Sequence, residues 1–376
     1  MPYIKRLLQN EIEKWMFSGK VIILYGARQV GKTTLVKQLL QPAKDRALYL
    51  NCDEPDIRGM LTDKNSAQLR QIIGDHTILA IDEAQRVINI GITLKLLADL
   101  FPDLQVIATG SSSLDLALGI KEPLTGRKME FNLYPFSAEE LLSTETTLDF
   151  TRLLPSRMIL GVYPGVVFSH SKEKILKEIT ESYLYKDLFE IQKIRNPHVL
   201  HKLLQALALQ IGSEVSYNEL GTMLQLDNDT IGRYINILIQ TNVLFELPPL
   251  KRNLRNTLGK LRKIYFCDLG IRNTLINNFN PLELRNDTGP LWENFCILER
   301  RKFNENHQVF PNTFFWRAYD KSEIDYLEEI GGRFNAFECK WKDVVGKLPK
   351  AFMEAFPNST FETINRNNFL KFVIKS

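Results

Sequence analysis

The stretch Gly26-Ala27-Arg28-Gln29-Val30-Gly31-Lys32-Thr33 decides how the rest of this chain is read. Directly ahead of it stands the apolar run Val21-Ile22-Ile23-Leu24-Tyr25, and behind it Thr34-Leu35-Val36-Lys37-Gln38-Leu39-Leu40 has the look of a helix. A strand, a glycine-bearing loop and a helix opening on Lys-Thr make the arrangement a triphosphate requires. The two glycines let the backbone turn tightly and aim its N–H groups at phosphate oxygens, and the helix adds the positive end of its dipole. On this reading Gly26, Ala27, Arg28, Gln29, Val30, Gly31, Lys32, Thr33 and Thr34 cradle ATP. Lys32 reaches the β- and γ-phosphates, and the Thr33 hydroxyl is a ligand of Mg²⁺. The competing reading, a strand-to-helix turn that happens to contain two glycines, leaves the next motif unexplained.

That motif is Thr77-Ile78-Leu79-Ala80-Ile81-Asp82-Glu83, an apolar run closing on two carboxylates. Continuous apolar runs suit strands buried on both faces of a parallel sheet, and ligands collect at the carboxyl ends of such strands. Asp82 is therefore expected to hold Mg²⁺, through its water shell, and Glu83 to polarise the water that attacks the γ-phosphate. The alternative is a pair of solvated acids at a strand end. Further strands are expected at Ala47–Asn51 and Leu104–Thr109, with helices over residues 9–17 and 66–73. Thr109 or Ser111 is the candidate γ-phosphate sensor, although Ser111 to Ser113 also fit a helix cap. The segment from Leu124 to Ser137 supplies a fifth strand and a turn into a helix. Arg127, at its start, could face a γ-phosphate in its own or a neighbouring subunit, or be a surface arginine. Five strands with helical crossovers define a doubly wound parallel α/β domain.

A chain of 376 residues exceeds one ordinary core, so two or three domains are expected. The net charge of +4 is too small to name a nucleic-acid partner, and only local clusters can. No apolar span approaches the roughly 20 residues of a transmembrane helix, and the N-terminus lacks a signal-peptide core. Cys52, Cys267, Cys296 and Cys339 are scattered without metal-binding spacing. Reduced thiols in a cytoplasmic protein without a membrane partner are the expectation.

The blocks LYGARQVGKTTL, LAIDEAQ, IATGSSS and LTGRKMEFNLYPFS resemble the P-loop ATPases of the AAA superfamily found widely in bacteria and archaea. In that group the ATPase is followed by a winged helix and a C-terminal domain resembling restriction endonucleases. The later segments GVYPG, YINILIQTNVLFELPPLKRN, KIYFCDLG, WENF and FECKW are similar to the same group. The resemblance implies ATP binding and hydrolysis and names no substrate. It also implies that the helical segments over 152–161, 172–191 and 197–211 form a lid. The expected domains are an ATPase (1–150), a helical lid (151–212), a winged helix with a basic tail (213–263) and a restriction-endonuclease-like domain (264–376).

Beyond the lid, Ser216-Tyr217-Asn218-Glu219 is a capping-box pattern opening one helix, and Thr230 to Thr241 forms a second. Val243–Leu247 then reads as a wing strand. Asn228, Thr230, Arg233 and Tyr234 could face DNA, and Lys251, Arg252, Arg255, Lys260, Arg262 and Lys263 could neutralise its phosphates. Winged helices also dock proteins, and a basic loop is often a solvated surface. Further on, Asp325 followed by Glu338-x-Lys340 matches the nuclease pattern of the restriction-endonuclease fold. There Asp325 and Glu338 would share Mg²⁺ with Glu293 as a further carboxylate, and Lys340 would orient water or stabilise phosphate charge. A plain ion pair on one strand face explains Glu338 and Lys340 equally simply. Trp316 and Trp341 fit core or platform better than base reading. Three functions remain: an ATPase coupled to DNA, a protein-binding nucleotide switch with an inert C-terminal scaffold, and an ATP-gated Mg²⁺-dependent nuclease. Self-association follows if Arg127 works in trans.

Overall fold

Five runs in the N-terminal third fold as strands of one parallel sheet: β1 (Val21–Gly26), β2 (Ala47–Asn51), β3 (Ile78–Asp82), β4 (Gln105–Gly110) and β5 (Lys128–Leu133). Their order is β2-β3-β4-β1-β5 and every pairing is parallel. The inner strands β1, β3 and β4 are buried at every residue, and the edge strands β2 and β5 only in part. This is why the inner three read as unbroken apolar runs. Because β4 lies between β1 and β3, the loop after β1 and the acids ending β3 open toward the same end of the sheet, on either side of the tip of β4.

The computed structural model describes residues 3–110, 124–182, 197–250, 262–318 and 322–375. They divide into two units, one of residues 3–135 with 240–242, the other of 136–239 with 243–376. In the first, one core joins Ile23 and Tyr25 of β1, Ile81 of β3 and Ala108 of β4 to Leu69, Ile73, Leu94 and Leu97. The last four come from the helices Ser66–Ile73 and Ile90–Leu100. Asn65 and Gln68 close a capping box at the start of the former, a contribution of about 1 kcal/mol.

The second unit begins with the helices Ala138–Leu142, Thr147–Leu160, Pro164–Val167, Lys172–Ser182 and Pro197–Leu209. The C-terminal end of the helix expected over 172–191 lies outside the described residues. Next come β6 (Glu214–Val215), the helices Tyr217–Leu224 and Asn228–Gln240, and the antiparallel pair β7 (Leu244–Leu247) and β8 (Arg262–Phe266), in sheet order β6-β8-β7. The segments GVYPG and KIYFCDLG pack on each other. Asp268 accepts hydrogen bonds from the N–H groups of Val162 (2.9 Å) and Ile271 (3.1 Å). A Cβ on Gly161 would stand 2.1 Å from its carboxylate, which explains the glycine.

A four-stranded sheet closes the unit: β9 (Asn312–Arg317), β10 (Glu323–Ile330), β11 (Arg333–Cys339) and β12 (Thr360–Ile364), in order β12-β11-β10-β9. The pair β11–β12 is parallel and the others antiparallel. Gly331 and Gly332, at φ +59° and +80°, make the two-residue turn between β10 and β11. The long helix Thr288–Asn306 is stitched to β8 by Asn294, whose amide bonds both the N–H and the carbonyl of Phe266 (2.8 and 2.9 Å). Trp316 lies edge-on to Phe352, and Trp341 to the buried Trp292, each with ring centres 5.3 Å apart.

Candidate functional site

The loop after β1 turns through Gly26 (φ +154°) and Gly31 (φ +102°) into the helix Lys32–Leu40. Close approach fixes Gly26, since a Cβ there would lie 2.4 Å from the Leu133 carbonyl oxygen. The buried Arg6 braces the loop from behind. Its guanidinium donates to the carbonyls of Val30 (2.7 Å) and Tyr134 (2.6 Å). Lys32 is also buried, its ammonium donating to the carbonyls of Gly26 and Ala27 at 3.0 Å each. The ammonium thus lies folded into the loop where phosphate oxygens would replace those carbonyls. Thr34 is exposed at the rim and Arg28 half-buried.

Asp82 is brought to this loop. The Thr33 hydroxyl donates to its Oδ2 at 2.7 Å, and the Tyr49 hydroxyl, from β2, to the same oxygen at 2.6 Å. The Thr109 hydroxyl donates to Oδ1 and accepts the Glu83 N–H at 3.1 Å. Burial first, then the hydrogen bond to Asp82, pushes the Tyr49 hydroxyl well above its ordinary value, so it stays a donor. A hydroxyl and a carboxylate side by side at a phosphate loop are hard oxygen donors of the kind Mg²⁺ takes, and Thr33 and Asp82 fit that ion. Glu83 sits in the left-handed region (φ +54°), uncommon for a residue with a Cβ, and its Oε2 accepts from Gln85 at 2.5 Å. Thr109 thus joins both acids, while Ser111, the other sensor candidate, lies outside the described residues.

Arg127 is not brought here. Its carbonyl accepts from Val21 N–H, at the start of β1, and its Nε pairs with Asp99 at 2.5 Å. The cradle follows the far end of β1, roughly 17 Å away at the rise of a strand. An in-chain contact with a γ-phosphate is therefore ruled out by the register of β1 and β5. Three neighbours of the site escaped the sequence reading: Tyr49, Gln85 and Arg6. Only strand register reveals the first, because Asn51 pairs with Asp82 and turns Tyr49 toward it.

Two sets of expected DNA-facing residues change on inspection. Tyr234 is buried at 7% exposure and belongs to the core of its helix, while Asn228 and Arg233 are exposed. Thr230 is tied to Asp227 through its N–H (2.7 Å) and hydroxyl (2.8 Å). In the basic stretch, Arg262 pairs with Glu246 at 2.5 Å and Lys263 is buried against Glu293 at 2.9 Å. These two are neutralised within the unit, and 251–261 lie outside the described residues.

Glu293, Asp325, Glu338 and Lys340 do come together. The β10–β11 ladder runs to Tyr326↔Phe337, so Asp325 and Glu338 follow directly on adjacent strands. Lys263 and Tyr265 of β8 both reach Glu293 Oε1, at 2.9 and 2.6 Å. Lys263 also lies 3.9 Å from Asp325 Oδ1, and Asp325 Oδ2 accepts the Cys339 N–H at 2.9 Å. Glu338 pairs with the part-exposed Lys340 at 2.8 Å. Burial, then the Asp325 charge, pushes the Glu293 carboxyl up to about 7, with Lys263 and Tyr265 opposing. Burial works against the Lys263 ammonium, but the two carboxylates outweigh it and hold its pKa above the ordinary value. Of the expected Mg²⁺ set of Glu293, Asp325 and Glu338, the first two meet the Lys263 ammonium. Among the described residues no three His, Cys, Asp or Glu side chains are grouped to hold a metal ion, and an ammonium stands between two of the three carboxylates.

Residues 18–142 match a family model described as an AAA domain, and the geometry above is that of a P-loop fold. Two further models, described as domains of unknown function (DUF8612 and DUF4143), match residues 151–282 and 288–368. An uncharacterized protein of Methanocaldococcus jannaschii is 25% identical over 346 residues, 86% of this chain and 75% of that one. An uncharacterized protein of Mycobacterium tuberculosis is 26% identical over 337 residues, 88% of this chain and 72% of that one. The solved structure of Cdc6p from Pyrobaculum aerophilum is similar at a TM-score of 0.31 and 14% identity, over 75% of this chain and 97% of that one. A likeness that loose fixes neither a partner nor a role. No helix among the described residues is long and apolar enough to cross a membrane.

Proposed function

We propose that this chain is an AAA-type ATPase that binds ATP with Mg²⁺ and hydrolyses it. The observation that carries the reading is the direct bond between Thr33 and Asp82 at the mouth of a loop whose lysine is already folded inward. Bound at Thr33 and Asp82, Mg²⁺ would neutralise charge on the β- and γ-phosphates. Lys32 leaves the Gly26 and Ala27 carbonyls for phosphate oxygens, and the loop N–H groups hold the β-phosphate. Glu83, steadied by Gln85, orients and polarises the attacking water, while Thr109 relays the state of Asp82 to the Glu83 backbone. Calorimetry with ATP and Mg²⁺ on the parent chain and on Lys32→Ala tests it: uptake is expected in the first and not in the second.

The finer reading couples this cycle to DNA through Asn228, Arg233 and the basic stretch, with a nuclease-like C-terminal part, in a cytoplasmic protein. Self-association through Arg127 of a neighbouring copy belongs to the same reading, and an arginine held at the surface by Asp99 is its alternative. A second reading, a nucleotide switch that binds a protein, is favoured by specific observations: Tyr234 is in the core, Arg262 and Lys263 are spent internally, and Asp227 and Asp229 stand exposed at the start of the candidate recognition helix. Duplex-DNA anisotropy at low and high salt, with and without ATP, separates the two. Salt-sensitive binding supports DNA, and none at low salt supports the protein switch.

A further inference from the structure

The carboxylates of Glu293 and Asp325 face each other across one atom, the Lys263 Nζ, 2.9 Å from the first and 3.9 Å from the second. That lysine is 3% exposed, so its charge has no route to bulk water and must be answered locally. Strand β8 delivers it. Lys263 and Tyr265 are two apart and share a face, and both bond the same Glu293 oxygen. Asn294, one residue on from Glu293, locks the helix to the same strand, so the distance is set by backbone stitching rather than by a floppy side chain.

A divalent cation bound by Glu293 and Asp325 would need oxygens at about 2.0–2.1 Å and would have to stand where the ammonium stands. It would also meet a second ammonium, Lys340, held at Glu338. Three carboxylates answering two ammonium groups leave too little negative charge for a divalent ion, whereas the same set without Lys263 would suit one. Asp325 Oδ2 is further committed to the Cys339 N–H.

We propose that Lys263 is the resident cation of this site, standing where a nuclease of this pattern would hold its metal, and that the C-terminal unit acts as a lysine-closed scaffold without metal-dependent cleavage. The inference is independent of the ATPase reading, since no residue of the cradle takes part.

Mn²⁺ titration of the nucleotide-free full chain, followed by electron paramagnetic resonance, tests it. The parent and Asp325→Asn are expected to take up Mn²⁺ alike. Lys263→Ala is expected to gain a site about tenfold or more tighter than any in the parent, lost again in Lys263→Ala/Asp325→Asn. Lys263→Met, which keeps the buried stem, serves if the alanine variant does not fold, and the parent/Asp325→Asn pair needs no lysine variant at all. A parent Mn²⁺ site that Asp325→Asn removes, or a folded Lys263 variant that gains none, overturns the proposal.

Discussion

The two acidic sites of this chain use the same residue types and arrange them in opposite ways. At the cradle, the Asp82 carboxylate is met by the hydroxyls of Thr33, Tyr49 and Thr109, and the nearby lysine spends its ammonium on backbone carbonyls. At the C-terminal site, the lysine is spent on the carboxylates themselves. Neutral donors orient an acid without cancelling its charge, so Asp82 keeps its demand for a cation. A buried ammonium satisfies that demand permanently. An acid ready for a metal and an acid closed by the protein thus differ in which atom reaches it first.

The largest effect expected from this contrast is at Lys32. Lys32→Ala should reduce nucleotide affinity at least about a hundredfold, because the charge that replaces carbonyl contacts with phosphate contacts is gone. Next, Glu83→Gln should bind ATP normally and lower kcat about a hundredfold, as removal of a general base commonly does. Turnover at the parental rate in steady-state assays would remove Glu83 from that role. Tyr49→Phe deletes one of the three hydroxyls on Asp82, and about a fivefold loss in kcat/KM is expected, the worth of one hydrogen bond to a charged group. If Tyr49→Phe is silent while Thr33→Ala is severe, Tyr49 is packing rather than positioning.

The smallest effect concerns a third acid, Asp268, which is held mainly by backbone N–H groups. Burial pushes its carboxyl up to about 6, against the opposing hydrogen bonds of Val162, Ile271 and Gly270 N–H groups. A folded pKa above the unfolded one means the folded state binds more protons between about pH 4 and 6. This contribution to stability is therefore fully present below that window and lost as pH rises through 6. Urea denaturation of the parent and of Asp268→Asn, whose amide does not titrate, should show the parent gaining on the variant as pH falls from 6.5 to 4.5. A difference independent of pH would place the Asp268 pKa elsewhere.

Sequence carried the cradle almost whole because its chemistry is local: Gly26, Gly31, Lys32 and Thr33 are consecutive enough for spacing to imply geometry. Asp82 and Thr109 were legible because strand ends in a parallel sheet converge. Tyr49 and Arg6 were not, since each acts across a register or a packing contact that no spacing encodes. Which end of the sheet Arg127 occupies was not legible, for the complementary reason. A strand start and a strand end look alike in sequence, and only the pairing of Val21 with Lys128 shows which end of the sheet is meant. In the C-terminal unit the pattern Asp325, Glu338, Lys340 correctly foretold neighbours. Lys263, read as a member of a basic tail, gave no sign that β8 would turn it inward.

Isothermal titration of the nucleotide-free chain with ATP and Mg²⁺ tests the central claim most directly. One site per chain is predicted, lost in Lys32→Ala and weakened when Mg²⁺ is chelated. Folded parent protein that takes up neither ATP nor ADP at millimolar ligand would contradict the account.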